Sequence, residues 1–300
     1  MKFSISILAV LVIGTACSQQ PPKDYQNIYN ELCNQDDDSK TIAHLKEWEE
    51  NYPRDPEMFI SAFNFYLQRS KQEVVRMDGG PAKGQSFQIM DSTNSEPVGY
   101  LYGDISYDEE LFKKSIDYLT RGLTKNPKRL DMHFGKIITL GQRRMFEEQT
   151  SNILQVLDYG MEIEHKWLWK LGEPIEDGIE AEKSGIQDYV YNMFNQQTPA
   201  CDYITTISNK LVEVFPDDIF GYSNIGACNL MNENFDEAIT WFKQAEIINK
   251  QDPIVLSNIA YAYMKKDMNE KAIEYYNKVA STGDEQYKNF ALQKIEELKE

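Results

Sequence analysis

The stretch WFKQAEIINKQDPIVLSNIAYAYMKKDMNEKAIEYYNKVA, residues 241–280, contains the end of one pattern and most of its repetition. The segment from Ala238–Ala245 returns in Ala272–Val279, 34 residues later, with small and aromatic residues at the same places. Large apolar residues recur at helical spacing, and breaks near Asn232–Asn234 and Asp267–Asn269 divide each copy in two. The pattern therefore predicts a helical hairpin repeated at an offset of 34 residues.

The two copies, residues 219–252 and 253–286, share the chemistry of six positions when they are aligned at this offset. The matching residues are Tyr222, Ile225, Gly226, Ala238, Phe242 and Ala245 in the first copy, and Leu256, Ile259, Ala260, Ala272, Tyr276 and Val279 in the second. The small residues stand where two helices would cross closely. The pattern resembles the tetratricopeptide repeat (TPR), whose helical hairpins stack because one hairpin cannot bury its apolar face alone.

Looser matches extend this resemblance over residues 24–300 and imply an all-α fold, an α-solenoid of TPR-like helical hairpins. The expected elements are hairpins near 24–52, 56–125, 128–160, 179–216, 219–251 and 253–281, and an amphipathic closing helix at 290–300. Two insertions, at about 76–106 and 161–178, interrupt the period. In the first, the runs SFQIMD and VGYLYGD flank the turn-like STNSE, which predicts a small β-hairpin.

The N-terminal stretch MKFSISILAVLVIGTAC, residues 1–17, has the features of a targeting segment. A Lys is followed by a short apolar run from Ile5 to Ile13, then by small residues and Cys17. This resembles the lipobox of bacterial lipoproteins and implies a signal peptide at 1–16, acylation of Cys17 (with palmitate among the chains), and a tether at 17–23. A plain secretory signal is the alternative. Ser18 after the Cys implies the outer membrane.

The charge of the chain limits its partners. The formal net charge is −17, with 31 Lys and Arg against 48 Asp and Glu, which argues against nucleic acid as a ligand because phosphates need clustered basic residues. An acidic, solvated surface is the favoured interpretation.

Three cysteines remain after Cys17, so at most one disulfide can form within the chain. Of Cys33, Cys201 and Cys228, only Cys201 and Cys228 fall on successive predicted helices, so they are the one pair worth testing. The sequence favours free, buried thiols at all of these positions over a disulfide.

The groove of such a stack is built mainly by the first helix of each hairpin. The residues expected to contact a protein or peptide partner there are Tyr189, Met193, Phe220, Asn224, Tyr261 and Met264. Together they form an apolar and aromatic strip suited to an amphipathic helix or an extended peptide. The alternative is that other parts of the same chain cover the strip. Asn224 matches an Asn that helps to hold a carboxylate in some members of the family, but only Lys265 is basic nearby.

Trp167 and Trp169 stand two residues apart in the second insertion. On an extended segment their indoles would share a face, as an aromatic platform for a sugar ring would require. This makes an outer-membrane glycan-binding lipoprotein the alternative function, although paired aromatics more often pin an insertion onto its scaffold.

No catalytic motif, phosphate-binding loop or metal-ligand spacing is found in the sequence. We therefore expect neither a catalytic residue nor a cofactor nor a metal. The predicted function is an envelope-anchored TPR scaffold that binds a protein or peptide partner in its groove.

Overall fold

The computed structural model describes residues 24–80, 86–93, 96–196 and 198–299. The predicted signal peptide, Cys17 and the tether lie outside the described residues. The helices are α1 (Asp24–Asn34), α2 (Asp38–Asn51), α3 (Pro56–Ser70), α4 (Glu109–Lys125), α5 (Leu130–Gln142), α6 (Phe146–Glu162), α7 (Gly178–Phe194), α8 (Cys201–Val214), α9 (Ile219–Met231), α10 (Phe235–Ile248), α11 (Pro253–Lys265), α12 (Asn269–Ala280) and α13 (Glu285–Glu297). The strands are β1 (Lys71–Asp78), β2 (Phe87–Met90) and β3 (Pro97–Tyr107).

These elements form two compact units that meet in sequence at Pro127 and Lys128. The first unit contains α1 to α4 and the three strands. The second unit contains α5 to α13, and in its C-terminal half each helix packs against the next one along the chain. The prediction of a mostly helical fold of TPR-like hairpins is confirmed.

Aspartates define where many of the helices begin. Before seven helices an Asp side chain accepts a hydrogen bond from a backbone N–H two or three residues further on, which satisfies a donor that the first turn leaves unpaired. These capping residues are Asp37, Asp55, Asp108, Asp177, Asp218, Asp252 and Asp284. These seven acidic residues therefore have a local structural role.

The turns inside the two clearest hairpins have the same backbone conformation. Glu233 has φ of 60° and Asp267 has φ of 57°, so the left-handed residue that reverses the chain recurs at the 34-residue offset of the sequence pattern. The crossing of α9 and α10 depends on Gly226, since a Cβ at this position would lie 2.7 Å from the Phe242 ring. The small residues of the repeat thus allow close helix packing, as predicted.

The first insertion is a three-stranded antiparallel sheet rather than the predicted two-stranded hairpin. The strand order is β1-β3-β2, and the strands extend over residues 71–107, beyond the expected 76–106. β1 pairs with β3 from Lys71 opposite Tyr107 to Asp78 opposite Tyr100. The backbone N–H of Asp108 donates to the carbonyl of Ser70 over 2.7 Å. The end of α3 and the start of α4 therefore lie next to each other, and the sheet is inserted between them in the sequence.

The other differences concern segment ends and the second insertion. α13 begins at Glu285, five residues before the closing helix expected at 290–300, because Asp284 caps it. The segment between α6 and α7 contains a short 3-10 turn, Lys170–Gly172, in which Leu171 has φ of 59°. It is held to the start of α5 by the backbone of Leu168, whose N–H donates to Lys128 and whose carbonyl accepts from Leu130.

Candidate functional site

The helices α7, α9 and α11 lie side by side in the second unit, as the first helices of successive hairpins. Gln187 of α7 and Asn224 of α9 exchange two side-chain amide hydrogen bonds, of 2.8 and 3.1 Å. Lys183 of α7 also forms an ion pair of 2.8 Å with Asp218, the cap of α9. These polar contacts fix the spacing of α7 and α9.

One face of α9 and α11 carries a row of apolar side chains, three of which, Phe220, Tyr261 and Met264, are among the residues expected to line a groove. We call these residues the strip: Phe220, Ala227, Leu230, Met231, Ile254, Tyr261 and Met264. Met231, Ile254 and Tyr261 are exposed, whereas the other four are half-buried. They recur at spacings of three, four and seven residues, which places them along one side of each helix.

Two residues predicted to line the groove on α7 are buried instead. Tyr189 and Met193 belong to the core of the second unit, where the Tyr189 ring packs edge-on against Phe134 at 5.4 Å between centroids. Burial raises the pKa of the Tyr189 hydroxyl. The expectation that these two side chains face a partner is wrong, because Ile186 and Val190 complete with them a single buried stripe at helical spacing.

The exposed aromatic residue of α7 is Tyr191, which the sequence analysis did not select. Its side chain is 63% exposed, and Ser184 and Asp188, seven and three residues before it, are exposed as well. The sequence could have indicated Tyr191 through the apolar stripe of α7, because residues of this helix that lie outside the stripe face away from the core. Tyr191 is the residue of α7 that presents an aromatic surface to solvent.

Asn224 is also unsuited to the role proposed for it. The residue is 4% exposed, and its amide is engaged with Gln187. A partner's carboxylate would have to replace those two hydrogen bonds at a site where Lys183 is already paired with Asp218. The side chain therefore positions α9 against α7 and does not contact a partner.

Lysines lie over the two aromatic rings of the strip. Lys183 is 5.9 Å from the centroid of Phe220, and Lys265 is 5.4 Å from that of Tyr261. Hydrogen bonds to Asp218 and Glu180 raise the pKa of Lys183, which keeps it charged. The strip thus offers apolar and aromatic surface with an exposed cation, Lys265, at its α11 end.

The two tryptophans of the second insertion do not form a platform. Trp167 is 1% exposed and Trp169 is 42% exposed, and Trp169 packs edge-on against Phe134 at 6.1 Å. The glycan-binding arrangement, with both indoles open on one face, is therefore wrong for this pair. Trp167 holds the insertion onto the helices, which was the other interpretation.

The partner of Trp167 is Glu182, a buried carboxylate on α7. Its Oε2 accepts hydrogen bonds from the indole N–H of Trp167 at 2.6 Å and from Nδ1 of His165 at 2.8 Å. Burial raises the pKa of Glu182, and the two hydrogen bonds oppose that shift. Gly160 of α6 makes room for the carboxylate, since a Cβ there would lie 2.5 Å from it.

Cys201 and Cys228 form a disulfide between the start of α8 and the end of α9. Their Cα atoms are 5.5 Å apart, a usual separation for this bond. The expectation of free thiols is therefore wrong at these two positions, because the rotation of the helices brings the side chains together. Cys33 is a free cysteine.

Within the described ranges, no group of three His, Cys, Asp or Glu side chains is placed to hold a metal ion. Across the same ranges, no helix combines the length and the apolar character that a membrane span needs.

Comparisons with known proteins give distant structural similarities. No family model matches this sequence, and no curated protein is similar to it. YrrB, a TPR protein with an unusual peptide-binding site, is 15% identical over 60% of this chain and 81% of its own, with a TM-score of 0.38. MamA is 12% identical over 59% of this chain and 85% of its own, with a TM-score of 0.38.

A TPR protein from Parabacteroides merdae is 10% identical over 93% of this chain and 86% of its own, with a TM-score of 0.35. At these values the similarities carry no conclusion about function. The description of the fold rests on the helices themselves.

Proposed function

We propose that the protein is a scaffold that binds a protein or peptide partner along the strip and Tyr191. The observation that carries this proposal is the set of apolar side chains on one face of α9 and α11, three of them exposed and four half-buried, together with an exposed Tyr on α7. Apolar side chains gathered on one face mark an interaction site, whereas single exposed apolar residues do not. Helical hairpins provide such a surface already formed, so that binding requires little ordering of the scaffold.

The chemistry of the strip indicates the kind of partner. Phe220 and Tyr261 offer ring faces, and Met231 and Met264 offer flexible apolar side chains that adapt to different contacts. An amphipathic helix or an extended peptide with apolar residues on one side would fit this surface. Lys265 favours an acidic group at the corresponding end of that peptide.

The test is a cross-linking capture of partners from envelope membranes. We expect the partner to be lost from the variant Phe220→Glu/Tyr261→Glu, because two carboxylates would replace the ring faces that the partner covers and would lose their hydration when it binds. The matched control is Met161→Glu/Ile247→Glu, which adds the same charges to exposed apolar positions on the second helices α6 and α10. A partner retained by the control and lost from the strip variant, at equal helical content, supports the proposal. Retention by both variants contradicts it.

We also propose that the protein is anchored to the bacterial outer membrane by acyl chains on Cys17. The apolar run that ends in small residues and a Cys supports this proposal. The disulfide between Cys201 and Cys228 is consistent with it, since disulfides persist in oxidising compartments such as the bacterial periplasm. More than one acyl chain is needed for stable anchoring, which a modified N-terminal Cys can provide.

Labelling with radioactive palmitate tests the anchor. We expect the wild type to incorporate label and to sediment with outer-membrane fractions, and the variant Cys17→Ser to do neither. The variant Cys33→Ser is the control for loss of a thiol elsewhere. Incorporation of label by the Cys17→Ser variant would contradict the assignment. For the anchored wild type, whole-cell surface labelling shows which side of the membrane the protein faces.

A further inference from the structure

We infer that one face of the sheet in the first unit pairs with the same face of a second copy of this chain. This inference is independent of the strip, which lies in the second unit. The register places Met77 opposite Leu101, and Phe87 opposite Leu101 from the other side, so these three side chains form a row across the sheet. Val75 lies opposite Gly103, and Ile105 follows two residues along β3 on the same face. We call this set of residues the odd face.

The odd face is open to solvent to an unusual degree. Val75 is 74% exposed, Met77 69%, Phe87 79% and Ile105 46%. Taking roughly 150 to 200 Å² for a fully exposed side chain of this size, the four residues present on the order of 500 Å² of largely apolar surface. Two copies would then bury about 1,000 Å² in total, the lower limit for a specific interface.

The shape of the odd face is complementary to itself. Phe87 projects from β2, whereas Gly103 leaves bare backbone on β3, with no atom within 4 Å of the place where a Cβ would be. The two positions are about 8 Å apart, by one strand and two residues. Around a two-fold axis, the Phe87 side chain of each copy can therefore occupy the notch at Gly103 of the other.

The charges on the odd face do not oppose this pairing. Among the described strand residues on this face, the charged ones are Lys71 and Glu73, which have opposite signs and stand at the end nearest α3. The apolar row contains neither of them. Two such sheets can pack about 10 Å apart with their side chains interdigitated, as the layers of a β-sandwich do.

The experiment uses two differently tagged full-length copies, expressed together and cross-linked in intact cells. We expect capture through one tag to recover the other copy, and this recovery to fall at least tenfold in Val75→Lys/Phe87→Lys. The matched control is Gln72→Lys/Gln88→Lys, which adds the same charges to β1 and β2 at exposed positions on the opposite face. We expect it to retain wild-type recovery.

A photoactivatable residue at position 87 in otherwise wild-type chain provides a second measurement that does not depend on the lysine variants. We expect a product that carries both tags and has twice the mass of one chain, 34.8 kDa. No recovery of the second copy, equal loss in both lysine variants, or photoproducts with lipid or other proteins alone would each overturn the inference.

Discussion

Glu182 illustrates how one residue can organise a segment that has little secondary structure. Its carboxylate is buried between α6 and α7 and accepts hydrogen bonds from both His165 and Trp167. Its other oxygen, Oε1, has no hydrogen-bond partner among the described residues. The segment between the two helices is therefore fixed by a carboxyl group whose burial is only partly compensated by hydrogen bonds.

The indole of Trp167 should accordingly contribute more to stability than that of Trp169. We expect Trp167→Phe to lower the free energy of unfolding by about 2 kcal/mol, because it removes a hydrogen bond to a buried carboxylate. The control Trp169→Phe should cost roughly 0.5 kcal/mol or less, since this indole is partly exposed. Urea unfolding followed by circular dichroism measures both values. Equal losses in the two variants would contradict the role of Glu182.

The same carboxylate makes stability depend on pH. Because burial raises the pKa of Glu182, the folded protein binds this proton more tightly than the unfolded chain. The contribution of this proton to the free energy of unfolding is present in full below the ordinary pKa of a glutamate. It is lost as the pH rises through the raised pKa of Glu182.

We therefore expect the non-titrating variant Glu182→Gln to gain stability relative to the wild type as the pH rises from about 4, near the ordinary pKa of a glutamate, through the raised pKa of Glu182. Urea unfolding of both proteins across this range measures the difference. Two parallel pH profiles would show that Glu182 has no raised pKa in the folded protein.

At the residue scale, the sequence alone did not show which side of its helix every residue lies on. Tyr189 and Met193 were predicted to lie in the groove, although together with Ile186 and Val190 they form a regular apolar stripe that belongs in a core. The pairing of Asn224 with Gln187 joins residues 37 apart in sequence and depends on the exact rotation of two helices. No local pattern encodes such a contact.

At the scale of elements, the helices were easier to predict than the strands. The break between α9 and α10 and the break between α11 and α12 are both present where the 34-residue pattern divides, because mostly polar residues interrupt the apolar stripe there and Glu233 and Asp267 take a positive φ. β1, in contrast, was missed. Its sequence KQEVVRMD has no alternation of apolar and polar residues, since neither face of this strand is packed on a core.

The disulfide joins α8 and α9, two helices that also pack against each other. Its two cysteines are separated by 27 residues. Closing a loop of this length lowers the conformational entropy of the unfolded chain, which raises its free energy by about 3.5 kcal/mol. We expect reduction, or Cys201→Ala/Cys228→Ala, to lower the free energy of unfolding by about 3 kcal/mol.

Thermal and urea unfolding with and without dithiothreitol measure this effect, and Cys33→Ala, which leaves the disulfide intact, is the control. A wild-type protein that is insensitive to the reductant would show that the two sulfurs are not bonded.

At the scale of the whole molecule, the acidic surface and the apolar strip have different consequences. The net charge of −17 acts through long-range electrostatic interactions, which dissolved salt screens. Apolar contacts on the strip act only at short range. We expect partner recovery through Phe220 and Tyr261 to change by less than about twofold between roughly 0.1 and 1 M NaCl, because apolar burial does not weaken with salt. A tenfold loss at high salt would indicate that charge carries the binding instead.

The hydrogen bond between Asp108 and Ser70 has a consequence for how this chain can be rebuilt. Since the backbone returns to its point of departure, α3 and α4 already meet where the sheet branches off, and the helical pair is complete without it. The sheet is thus an insertion that could be removed without separating α3 from α4. A short turn in place of residues 71–107 should leave a folded helical frame, and a foreign domain with closely spaced termini should be accepted at the same junction.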